Sequence, residues 1–123
     1  MTAELLYSKD HEWVRVVSDG VAVIGVTDYA AEQLGDVVYV DLPESGDEIS
    51  AGSEMGEIES TKSVSDLFSP ISGTVSEINQ AVVDSPELVN SSPFDDGWLL
   101  TVSFDALPED LLGAEDYKAF TAS

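Results

Sequence analysis

Few side chains in this sequence are suited to chemistry, and one of them stands apart. In Glu57-Ile58-Glu59-Ser60-Thr61-Lys62-Ser63-Val64-Ser65-Asp66 a single lysine sits among carboxylates and hydroxyls, and it is the only basic residue between Arg15 and Lys118. The Ser60–Ser63 segment falls between two short strand-like runs and reads as a hairpin tip, which holds Lys62 out in water. Taken alone, this reads most simply as a surface lysine offsetting its acidic neighbours. The chemical reading is an attachment point. An ε-amine on an exposed tight turn can enter a modifying enzyme's site and form an amide, and a cofactor on that arm then supplies reactivity the chain lacks.

The remaining inventory is poor for an enzyme. His11, flanked by Asp10, Glu12 and Trp13, is the one imidazole and the one side chain whose unperturbed pKa lies near neutrality. We expect it to serve structure beside Trp13. There is no cysteine, which removes disulfides, thiolate metal sites and cysteine nucleophiles together. One histidine cannot furnish an ordinary zinc site. No nucleophile elbow, phosphate-cradling glycine loop or H-E-x-x-H run is present. Asp95-Asp96-Gly97 lacks the ligand spacing of a calcium loop and reads as a turn. Asn90-Ser91-Ser92 matches a glycosylation sequon by chance. Neither a catalytic residue nor a metal ligand is expected.

The elements that must position Lys62 are mostly strands. Glu12–Val17 and Gly20–Val26 are Val-rich runs split by Ser18-Asp19-Gly20, a hairpin signature. Thr27 to Leu34 reads as a helix, with Thr27 as N-cap and Gly35 ending it. Asp36–Leu42 is a strand stopped by Pro43. Short strands follow around Glu48–Ser50, Glu54–Glu59, Val64–Phe68, Gly73–Asn79 and Trp98–Phe104, the last alternating Trp98, Leu100, Val102 and Phe104 on one face. After Pro108 the spacing of Leu111, Leu112, Tyr117 and Phe120 suggests a short C-terminal helix with a break at Gly113. Many short strands with regular turns predict a sandwich or barrel, and no linker or tandem repeat divides the chain, so one domain over 1–123 is expected.

Composition bounds the partners. The 123 residues carry a net charge of −21, from 4 Lys and Arg against 25 Asp and Glu. Binding nucleic acid by counterion release needs basic residues that are missing here, and anionic lipid is disfavoured for the same reason. Apolar residues make up 43%, enough for a buried core, so the charge does not imply disorder. The N-terminal residues lack the basic start and apolar run of a secretory signal, so a soluble cytoplasmic protein of a bacterium or archaeon is expected. The acidity itself reads as a solvated surface, as adaptation to high salt, or as steering towards basic partners.

Beyond these local readings, the segment Glu59-Ser60-Thr61-Lys62-Ser63-Val64-Ser65-Asp66-Leu67-Phe68-Ser69-Pro70-Ile71-Ser72-Gly73 resembles the lipoyl-lysine segment of glycine cleavage system H proteins. Tyr7-Ser8-Lys9-Asp10-His11-Glu12-Trp13-Val14 is similar to the family's N-terminal signature. Gly25–Ala30 with Leu34–Pro43, and Pro86–Pro93 with Gly97-Trp98-Leu99, are similar to further blocks, in register from about Tyr7 to Phe120. Phe68 and Phe94 stand where members often carry Tyr, which puts a phenol hydrogen bond in doubt at each place.

The resemblance implies a mainly β, lipoyl/biotinyl-type barrel-sandwich hybrid of two small antiparallel sheets with short helices, including a C-terminal one. It implies lipoic acid held as N6-lipoyllysine on Lys62. It also implies a non-catalytic, monomeric shuttle serving a glycine decarboxylase (P protein), an aminomethyltransferase (T protein) and a dihydrolipoamide dehydrogenase (L protein), and served by lipoylating enzymes. An aminomethyl cargo carries a cationic amine, so a carboxylate is expected where it docks; Glu12 and Asp66 are the candidates, with Asp10 after them. Glu59 is expected to support the turn or to be read by the lipoylating enzyme. Two alternatives share the architecture: an H-like relay passing lipoyl groups to other complexes, and a biotin carrier, whose lysine is usually flanked by Met where this one lies between Thr61 and Ser63.

Overall fold

The computed structural model describes residues 5–109 and 111–122. The chain ends at Met1–Glu4 and Ser123, together with Asp110, lie outside the described residues of the domain expected over 1–123. The elements run β1 (Leu5–Tyr7), β2 (Glu12–Ser18), β3 (Val21–Val26), α1 (Asp28–Leu34), β4 (Val37–Asp41), β5 (Glu48–Ile49), β6 (Glu54–Ser60), β7 (Val64–Phe68), β8 (Gly73–Ile78), α2 (Gln80–Asp84), α3 (Leu88–Ser91), β9 (Leu100–Ser103) and α4 (Ala114–Ala122).

Two antiparallel sheets form, as expected. One has six strands in the order β1-β2-β3-β9-β8-β5, and the other has three, β4-β6-β7. The β2–β3 hairpin turns at Gly20, whose φ of 73° favours glycine. Strand alternation sends Val14, Ile24, Val75 and Val102 from the larger sheet and Val40, Ile58 and Leu67 from the smaller one into a shared core. Helix α1 starts as its sequence dictates: Thr27 Oγ1 accepts from Ala30 N at 3.1 Å. It ends at Gly35, with φ 81°.

Four details depart from the sequence reading. Strand β1 and helices α2 and α3 were not expected, because three to five residues are too few to show a period. Strand β9 is shorter than Trp98–Phe104. Leu99 is fully buried although alternation puts it on the face opposite Trp98, Leu100, Val102 and Phe104; its N–H donates to Ile24 O at 2.8 Å and its carbonyl accepts from Asn79 N at 2.9 Å. The C-terminal helix excludes Leu111 and Leu112. Leu112 instead exchanges two backbone bonds with Tyr7, at 2.8 and 2.7 Å, and that bridge holds it extended until Gly113 frees the chain to coil.

Candidate functional site

Lys62 lies in the tight turn that joins β6 to β7, and it is exposed. The turn is closed by Ser60 N donating to Ser63 O at 2.8 Å. The Ser60 hydroxyl accepts from the N–H groups of Lys62 and Ser63 at 3.2 and 3.1 Å, so backbone groups that a hairpin tip would leave to water are held locally. Thr61 N donates to Asp36 O at 3.0 Å and anchors the tip to the chain entering β4. The aliphatic stem of Lys62 passes over Gly35, where a Cβ would sit 3.2 Å from Lys62 Cε. A side chain there would press on the stem, so glycine serves both the positive φ and this close approach.

Beside Gly35, Leu34 borders a cleft of about 200 Å³. Its walls are the loop Asp10–Glu12, Val26 at the end of β3, the inner side of α1, and Ile58, Ser65 and Leu67 from the β6–β7 hairpin, with Asp66 at its border. A wider hollow of about 590 Å³ opens among Gly20, Gly73 and Phe104, with Asp105 its one titratable group. That hollow is shallow turn surface and offers little chemistry.

Glu12 is the buried carboxyl of the cleft, 2% exposed. Ser8 Oγ donates to Glu12 Oε1 at 2.7 Å, and Glu12 N donates back to Ser8 Oγ at 3.1 Å. Burial pushes its pKa up to about 8; Asp10 adds to the rise, while the Ser8 hydroxyl and a backbone hydrogen bond from Phe68 oppose it. Among the described residues no cation offsets this rise, which favours the protonated form of Glu12 near neutral pH.

The other expected carboxylates lie differently. Asp10 is exposed and borders the cleft. Asp66 pairs with Glu57 across the hairpin, and its carboxylate lies within 4.8 Å of those of Glu54 and Glu57. Alternation along β7 turns Ser65 inward and Asp66 to the outer face. Glu59 pairs with Tyr39 and Val64; among the described residues its carboxylate makes no hydrogen bond to the turn.

The sequence reading placed His11 in a structural role beside Trp13, but its partners are others. Its Nδ1 meets Tyr117 Oη at 2.8 Å, and its ring packs 4.8 Å from that of Tyr29. Trp13 is held elsewhere, donating to Pro93 O at 2.9 Å and lying under Arg15 at 4.7 Å. Arg15 also donates to Phe94 O at 2.7 Å, a main-chain contact that needs no phenol. Sequence reasoning missed Asn90, dismissed as a chance sequon. Its Oδ1 accepts from Val37 N at 2.8 Å, and its Nδ2 donates to Gly35 O at 2.8 Å and Ala31 O at 3.4 Å. It thereby fixes the α1–β4 corner beneath Lys62. No pattern in the sequence marks it, since its partners are more than 50 residues away.

The pattern of the Glycine cleavage H-protein family matches residues 5–123. The chain belongs to that family. It is 57% identical to the glycine cleavage system H protein of Streptomyces avermitilis, with 98% of this chain and 96% of the relative aligned. Against the protein of the same name from Clavibacter sepedonicus the identity is 58%, over 94% and 92%. The fold superposes on the crystal structure of a glycine cleavage system H protein from Mycobacterium marinum with a TM-score of 0.92, at 41% identity and with both chains wholly covered. The two-sheet architecture is therefore that of an H protein. Among the described residues, no helix is long and apolar enough to cross a membrane.

Proposed function

We propose that this chain is the lipoyl-bearing carrier of a glycine cleavage system, with lipoic acid in amide linkage to Lys62, working in the cytoplasm as a monomer that is not itself a catalyst. One observation carries the reading. An exposed amine stands on a turn that satisfies its own backbone, and its stem crosses Gly35 beside a mostly apolar cleft holding a buried carboxyl. These residues fit the group: the turn presents the nitrogen to a modifying enzyme, and Val26, Ala30, Leu34, Ile58 and Leu67 offer an apolar bed for a hydrocarbon arm. When bound, lipoate supplies a disulfide able to take up an aminomethyl unit together with two electrons.

What the chain's own residues do follows from their placement. Glu12 gives up its proton to solvent as it receives the already cationic amine of the cargo, and Ser8 and Phe68 hold the carboxylate once it forms. Asp10 and Asp66 extend negative potential along the border of the cleft. The apolar walls keep water from a cargo that would otherwise lose its carbon as formaldehyde. Glu59, half-buried on the strand leading to Lys62, is a contact for lipoylating enzymes. The proposed partners are the P, T and L proteins, which hold the decarboxylase, aminomethyltransferase and dihydrolipoamide dehydrogenase chemistry.

Intact mass of the protein from its native source tests this directly. One lipoyl adduct is expected, mapping to Lys62 and lost in Lys62→Arg. A biotin adduct, or a bare lysine in cells that make lipoate, overturns the assignment.

A further inference from the structure

We propose that Tyr117, on the C-terminal helix, is a positioning residue for the cleft: its hydroxyl fixes His11 as the neutral imidazole protonated on Nε2, and so sets the wall that carries Glu12.

Tyr117 does not border the cleft. Its hydroxyl lies 2.8 Å from His11 Nδ1 and 2.7 Å from Thr27 Oγ1. One oxygen thereby ties α4 to the Asp10–Glu12 loop and to the N-cap of α1, and both of those pieces form cleft walls. Thr27 N donates to His11 O at 3.0 Å and closes the same triangle through the backbone. His11 is the one non-glycine described residue in the left-handed region, with φ 68°. Such a conformation persists only where the surroundings determine it. The Tyr117 ring is itself held, stacked on Tyr7 at 4.5 Å and 9°.

Counting protons sets the direction of this chain of bonds. Thr27 is fully buried, and its Oγ1 already accepts from Ala30 N. Its hydroxyl proton therefore needs an acceptor, and Tyr117 Oη supplies it. The tyrosine proton then goes to His11 Nδ1, which must be bare, leaving the ring's hydrogen on Nε2. Protonating His11 would reverse the chain and strand the Thr27 proton in the interior, at a cost that opposes the charge. Burial acts in the same sense, lowering the His11 pKa, while Asp10 opposes it. The other groups around His11 are Glu12 beside it, Tyr29 on α1 and Phe120 on α4, with Asp66 across the cleft and Asp28 acting on Tyr117.

The consequence for the carrier rests on the reading of Glu12 given above. A cationic His11 next to a docked ammonium would repel it, whereas a neutral one leaves Glu12 to hold it. Tyr117→Phe keeps the ring and removes the hydroxyl. In the lipoate-free protein, nitrogen NMR of the imidazole should show the Nε2–H tautomer in the wild type, and His11 should protonate at higher pH in Tyr117→Phe. An Nδ1–H tautomer in the wild type, or an unshifted titration in the variant, overturns the proposal; the wild-type spectrum decides even if the variant fails to fold.

In the loaded carrier, Tyr117→Phe should release formaldehyde roughly three- to tenfold faster than wild type below neutral pH, with the ratio falling towards one in alkali. An equal acceleration at every pH would mark simple loosening and overturn it, as would no acceleration. Glu12→Gln run alongside separates the two ideas: if its release rate is unchanged the docking role fails, while the tautomer result still stands or falls alone.

Discussion

Replacing Glu12 by Gln removes one charge and almost no volume, which makes it the sharpest probe of the cleft. The gain from a carboxylate about 4 Å from the cargo's ammonium, at an effective dielectric near 20, is about 4 kcal/mol. Against this stands the cost of ionising an acid whose pKa burial has raised to about 8, which is about 1.4 kcal/mol at pH 7. The difference, about 2.6 kcal/mol, corresponds to several tens-fold in the docked fraction. The assay loads the carrier, removes the partner enzymes and follows formaldehyde as it appears in a single turnover. Glu12→Gln should release it tens of times faster at pH 7. A ratio within about twofold of unity would refute the reasoning, because a charge interaction of this size cannot be lost silently.

The same carboxyl carries a second signature, in the stability of the unloaded protein. Its folded pKa is raised by burial from the ordinary 4.5 to about 8, so the folded state binds more protons than the unfolded one between those values. Its stabilising contribution is therefore fully present below about pH 4.5 and is lost as pH rises through 8, by up to roughly 5 kcal/mol. Denaturant melts of wild type and Glu12→Gln across this window should show the decline in the first and its absence in the second.

Asn90→Ala should lower stability by about 2–3 kcal/mol, since it leaves Val37 N and Gly35 O without their partner. A urea midpoint that falls at constant slope, together with slower lipoylation of Lys62, is the expected result. The salt response follows from charge. With −21 net and no ion pair at Lys9, Arg15, Lys62 or Lys118 among the described residues, self-repulsion dominates, so molar salt should raise the melting midpoint by several degrees. A midpoint unmoved by salt would remove the salt-adapted reading of the acidic surface.

Several features were legible from the residues alone because their causes are local. The lone lysine between hydroxyls, the Thr27 cap and Gly35 stop, and the turn at Gly20 each depend on neighbours a few positions away, and each stands where the pattern placed it. The many short runs likewise pointed to a sandwich or barrel, and the family resemblance to the two antiparallel sheets that form. Tertiary structure alone decided what those elements bring together. It buried Glu12 and raised its pKa, because desolvation depends on walls contributed by distant segments. It turned the Asp66 carboxylate towards Glu54 and Glu57, which sequence proximity to Lys62 did not foretell. It moved His11 from Trp13 to Tyr117, 106 residues away, and made a structural clasp of Asn90. Burial and hydrogen-bond partnership across such separations are properties of the packed chain, and no spacing of residues along it encodes them.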